Sequence, residues 1–122
     1  APRNKSLKVD GFHNIFCAGE KSGFFVGHTE AIATGSLAGH NAVRTLRGKH
    51  AITLPQILAC GDIIHAEQEG LSSELGLVKR YTFSGGEYFD RMKVKGLYTT
   101  QMSEIANRVR EADCYGIFVN RP

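Results

Sequence analysis

Between residues 19 and 39 glycine recurs on a four-residue spacing: Gly19, Gly23 and Gly27, then Gly35 and Gly39. This stretch constrains the fold more than any other part of the chain. The run Asn14-Ile15-Phe16-Cys17-Ala18 leads into Gly19, and its length and small last residues predict a short buried strand over Ile15 to Ala18. Three glycines then make a loop with little side-chain bulk. Thr29 is placed to cap a helix running to about Arg47, with Gly48 just past its end as the stop. Ala31, Gly35, Ala38 and Ala42 lie on one side of that helix. Glycine inside a helix costs roughly 0.5–1 kcal/mol relative to alanine. A face of small residues therefore predicts close approach of another backbone or of a cofactor. The neighbouring stripe Ile32, Val43 and Leu46 reads as core.

The chain has 122 residues, enough for one modest domain with a small core. Hydrophobic residues at 42% and charged residues at 22% exclude wholesale disorder. The 14 glycines stand well above the usual share of about 7%. A net charge of +3 falls short of the concentrated basic footprint of a nucleic-acid-binding domain. Cys17, Cys60 and Cys114 are too few and too scattered for a disulfide framework or a zinc finger, and suit a reducing cytoplasm. No apolar run approaches the ~20 residues needed to span a bilayer, and there is no apolar core of a signal peptide. A start at Ala1 rather than Met leads us to expect a processed start or a piece of a longer protein.

The second half predicts three further helices, making the fold mainly α with a short strand-loop-helix piece. Thr53-Leu54-Pro55-Gln56 has the form of a capping box, with Ile57, Leu58, Gly61 and Ile64 inward and Gly70 ending the helix. Ser84-Gly85-Gly86-Glu87 is a second such box, opening a helix with Tyr88, Phe89 and Met92 inward and a stop near Gly96. Thr99 or Thr100 caps the last, in which Met102, Ile105, Val109 and Ala112 keep helical spacing. Leu77 to Phe83 reads as extended. Ile117-Phe118-Val119 could add a strand or pin the C-terminus.

The loop and the helix start together offer free backbone N–H groups and about half a positive charge, a place for a phosphate or another electron-rich group. The spacing is neither GxGxxG nor GxxxxGK[ST], and a tight turn followed by close packing is the plain alternative. Asp62, His65 and Glu69 lie on one side of a helix; one helix supplies too few ligands for a metal, and a solvated polar face is the simpler reading. The cysteines read as structural thiols, Cys17 as a buried one. Lys79, Arg80, Arg91, Lys93 and Lys95 interleave with Tyr81, Phe83, Tyr88 and Phe89. They form either an RNA-contacting surface or an aromatic core with basic neighbours, the simpler choice. Arg108 and Arg110 read as solvent-facing.

Three segments carry a resemblance: Phe16-Cys17-Ala18-Gly19-Glu20-Lys21-Ser22-Gly23, Val26-Gly27-His28-Thr29-Glu30-Ala31, and Gly35-Ser36-Leu37-Ala38-Gly39-His40-Asn41-Ala42. They resemble the C-terminal flavin-contacting motif of the glucose-inhibited division protein A family, which includes flavin-dependent tRNA uridine-modifying enzymes. The resemblance covers about 30 residues. It implies a helical C-terminal fragment of an α/β FAD-binding flavoprotein. Residues 1–48 would be the closing strand, loop and helix of the FAD-binding domain, and residues 49–122 a small helical domain. Ala18, Gly19 and Glu20 would border the flavin or its ribityl chain. Gly23 and Gly27 would shape the loop, and the backbone amides of His28, Thr29, Glu30 and Ala31 would face the pyrimidine edge. Glu20 stands where the family has Gln, and His28 where it often has Tyr. The GxGxxG dinucleotide fingerprint is absent, so the chain would hold half a flavin site and carry no catalytic residue of its own. The implied partners are the rest of the FAD-binding domain, tRNA, and a second copy pairing through the open strand edge. The rival expectation is a helical RNA-binding or protein-interaction module without a cofactor.

Overall fold

The computed structural model describes residues 2–22, 24–72, 80–119 and 121–122. Gly23, Lys79 and the extended segment expected from Leu77 lie wholly or partly outside them. Among the described residues the elements are a 3-10 turn at Gly19–Ser22 and four helices: α1 His28–Leu46, α2 Ala59–Gly70, α3 Gly86–Val94 and α4 Met102–Glu111. No helix among them is long and apolar enough to cross a membrane. β-Structure among these residues is limited to single bridges, Arg3 with Val9 and Lys8 with Phe16 antiparallel, and Phe25 with Tyr81 parallel. The expected buried strand at Ile15 to Ala18 is an extended segment with one such bridge. With one partner and no sheet to cover it, Ile15 is exposed and Phe16 to Ala18 are half-buried.

The start of α1 is set by Gly27, at φ 108°, rather than by Thr29, which lies inside the first turn. The helix ends in a Schellman arrangement: Gly48 N–H donates to Thr45 O (3.1 Å) and Lys49 N–H to Arg44 O (2.8 Å). The expected stop at Gly48 is thus in place. α3 closes in the same way through Gly96, and α4 through Asp113.

The buried side of α1 is Glu30, Thr34, Leu37, Ala38 and Asn41. This overturns the expected core stripe, because Ile32 is 69% exposed, Leu46 is 86% exposed and Val43 is exposed as well. Polar groups face inward because each meets a loop that needs a partner. Asn41 Nδ2 donates to Ser6 O (3.0 Å) and Ile52 O (2.9 Å), while Asn41 Oδ1 accepts from Ile52 N–H (2.8 Å). The small-residue face is open as well: Ala31, Gly35 and Ala42 are exposed, and a Cβ at Gly35 would meet nothing within 4 Å.

The core gathers Leu7, Phe25, Leu37, Leu54, Ile63, Ile64, Tyr88 and Met92. α2 begins at Ala59, six residues after the expected cap at Thr53, because residues 54–55 run across the helix instead of starting it. A Cβ at Gly61 would sit inside the contact radius of the Leu54 and Pro55 carbonyl oxygens, so glycine alone lets that segment pass. α3 starts at Gly86 with Gly85 before it, without a side-chain cap among the described residues. At α4 the flanking residue is Gln101; Thr99 Oγ1 accepts from its N–H (3.1 Å) and donates to Glu104 Oε2 (2.6 Å). α4 buries no residue fully, and Met102 and Ile105 are exposed. The tail at Ile117 forms turns, with Ile117 against the core and the Phe118 ring edge-on to His40 at 5.4 Å.

Asn41→Leu removes the three hydrogen bonds of a buried side chain and strands their partners on two loops. It should lower stability by about 2–4 kcal/mol in urea unfolding, whereas Ile32→Ser on the exposed side should change it by less than about 0.5 kcal/mol. Gly61→Ala should destabilise by about 1–3 kcal/mol, the range for forcing extra carbon into a packed site.

Candidate flavin-edge site and a buried carboxylate hub

The 3-10 turn is tied to α1 by a relay. Gly19, at φ 61° and buried, donates its N–H to Thr34 Oγ1 (2.9 Å), and Thr34 Oγ1 donates to Glu30 O (2.8 Å). Glu30 is buried, and its carboxylate lies between Gly27 at the helix start and residues 82–83. Its Oε1 accepts from Thr82 Oγ1 (2.7 Å) and from Phe83 N–H (2.5 Å). A Cβ at Gly27 would come within 2.6 Å of Glu30 Oε2, so Gly27 gives the carboxylate room to turn inward. The residues between are held by main-chain bonds, Val26 N–H to Tyr81 O (3.1 Å) and Tyr81 N–H to Phe24 O (2.8 Å).

The sequence-derived flavin set therefore divides. Ala18 is half-buried and Gly19 buried behind the turn; Glu20, Gly27, His28, Thr29 and Ala31 are exposed at its mouth; Glu30 is a clasp to residues 82–83. The first turn of α1 has no side-chain cap among the described residues. Its leading N–H groups, which a helix cannot satisfy internally, sit at an open end. That end fits an electron-rich edge, whereas the Glu30 side chain is occupied.

The basic set is placed differently from a free surface. Arg80 lies over the Phe24 ring at 5.3 Å. Lys93 faces Asp90 (3.4 Å) and the Phe89 ring (4.7 Å). Arg91 and Lys95 converge on Asp62, which accepts from Arg91 Nε (3.0 Å) and Nη2 (3.1 Å), Lys95 Nζ (2.8 Å), Tyr88 Oη (2.8 Å) and Gln56 Nε2 (3.3 Å). The expected solvated face of α2 is corrected here, since Asp62 is wholly buried. Burial alone would raise its pKa; the bonds from Arg91, Lys95 and Tyr88 outweigh it and hold the carboxyl at about 2. Burial, with the bond to Asp62, pushes the Tyr88 phenol up. This hub was missed in the sequence, although Tyr88, Arg91 and Lys95, at i, i+3 and i+7, share one face of α3 and its C-terminal cap. Arg108, expected in solvent, donates to Leu97 O (2.8 Å) and Gly96 O (2.9 Å). Cys17 and Cys60 are half-buried, and burial raises the Cys60 thiol.

Residues 1–50 match the family described as Glucose inhibited division protein A. Over 52 residues the chain is 40% identical to methylenetetrahydrofolate–tRNA-(uracil-5-)-methyltransferase TrmFO of Streptococcus uberis (strain ATCC BAA-854 / 0140J). Through residues 1–50 the chain is similar to the glucose inhibited division protein A family. The alignment takes in 43% of this chain and 12% of the relative. No solved structure matches the chain significantly. The span of the glucose inhibited division protein A match contains the Gly19 turn, Glu30 and all of α1; the residues that Glu30 clasps and the Asp62 hub lie beyond it.

The Asp62 carboxyl is depressed in the fold, so its contribution is complete above the unfolded value near 4 and is lost as pH falls through about 2. The gap corresponds to about 2 kcal/mol. Asp62→Asn should remove that increment at pH 7 and flatten stability between pH 4 and 2, as read by chemical denaturation at each pH.

Proposed function

We propose that this chain is part of a flavin-dependent tRNA-modifying oxidoreductase of the cytoplasm, and that residues 1–48 complete one edge of its FAD site. One observation carries the reading: the family match spans the buried turn at Gly19 and the uncapped start of α1, the two features suited to a flavin's electron-rich edge. Bound there, FAD would supply the redox chemistry. Gly19 and Ala18 would form the floor, and the backbone amides of His28, Thr29 and Glu30 would stabilise negative charge on the ring, the Ala31 amide being donated to Gly27 O. Glu30 would act indirectly by holding Gly27 and the loop in place. The exposed side of α1, with Ile32, Val43 and Leu46 beside Gly35 and Gly39, would pack against the remainder of the FAD-binding domain. Residues 49–122 would form the helical part, reaching tRNA or a partner.

FAD titration into the chain alone, and into the chain joined to the rest of that domain, tests this. The joined protein should be yellow and retain flavin through gel filtration; a colourless protein that cannot be loaded sinks the proposal. Thr29→Asp adds a carboxylate where the helix dipole favours it, so melting should be unchanged or raised slightly. The same charge should weaken FAD binding about tenfold. Unaltered affinity would place the flavin elsewhere.

A further inference from the structure

The N-terminal loop, the end of α1 and residues 49–53 wall a concavity of about 620 Å3. Lys5, Lys8, His13, Lys49 and His50 line it, and none of the described residues in its wall is acidic. No Asp or Glu among the described residues pairs with these lysines. Lys49 Nζ and Arg47 Nη1 donate to Pro122 O (3.0 and 2.8 Å), which leaves the Lys49 ammonium two further N–H groups.

The cations are also positioned before any ligand arrives. Asn4 Oδ1 accepts from the N–H of Ser6 (3.0 Å) and of Lys8 (3.1 Å) and from Ser6 Oγ (2.6 Å), closing the loop on itself. Leu7, with φ 69°, plugs that loop into the core. Arg3 pairs with buried Glu67 behind it. Asn41 ties Ser6 to Ile52, which brings the Lys5 and Lys8 loop beside Lys49 and His50.

We propose that this groove holds the sugar-phosphate backbone of an RNA substrate, with Lys5, Lys8 and Lys49 as its phosphate contacts. The proposal rests on the reading of the chain as part of a tRNA-modifying protein, and moves the RNA contact away from Arg91 and Lys95, whose charges serve Asp62. Filter binding of tRNA across a salt series tests it. Replacing Lys5, Lys8 and Lys49 with Gln should reduce the slope of log K against log salt by about one per lysine and lower affinity more than tenfold at fixed salt. Arg80→Gln with Lys93→Gln should leave the slope as in the wild-type chain. In the unmutated chain, bound tRNA should shield Lys5, Lys8 and Lys49 from acetylation, a readout independent of variant folding. A wild-type slope in the triple variant, or equal acetylation with and without tRNA, overturns the groove while leaving tRNA binding intact. A wild-type chain that does not bind tRNA overturns both.

Discussion

The structure depends on a polar stripe buried along one helix. Glu30, Thr34 and Asn41 lie on the inner side of α1, and each satisfies the backbone of a different loop: residues 82–83, residue 19, and residues 6 and 52. An unpartnered buried polar group costs about 1–3 kcal/mol, so these loops have few alternative positions. The arrangement inverts an ordinary amphipathic helix. Inward polar groups organise the loops, and the outward side is left to small and branched apolar residues.

A second centre, at Asp62, does for α2 and α3 what the stripe does for α1. Its carboxylate gathers two cations and a phenol from one face of α3. A buried charge of this kind is tolerated only when its hydrogen bonds are met, and removal of one partner costs more than the pair contributes. The two centres separate tasks. Residues near Glu30 shape a mouth at the helix start, whereas the charges at Asp62 are withdrawn from the surface.

Local signals were legible wherever backbone geometry alone decides them. The helix stops at Gly48, Gly70 and Gly96 came from glycine placement, and α1 matched its expected span to within a residue or two. The glycine-rich motif also led to the family. The caps at Thr53 and Ser84 misled because a capping box is a short-range pattern, and at residues 54–55 packing against Gly61 prevailed over it. The stripe at Ile32, Val43 and Leu46 misled for a different reason: periodicity says which residues share a face, not which face turns inward. Only long-range partners settle that. Asn41 has the residue type of a surface position, and its role depends on Ser6 and Ile52, 35 and 11 residues away. The Asp62 cluster was similarly hidden, since its donors come from a helix about 30 residues on.

The Arg3–Glu67 pair has a consequence for how the molecule assembles. Its partners are 64 residues apart, and the Glu30 contact to Phe83 spans 53. Such distant closures are entropically slow and follow the formation of local helices. The N-terminal loop therefore cannot settle until α2 exists to receive Arg3. On a ribosome, residues 3–8 would be made well before the helix that fixes them.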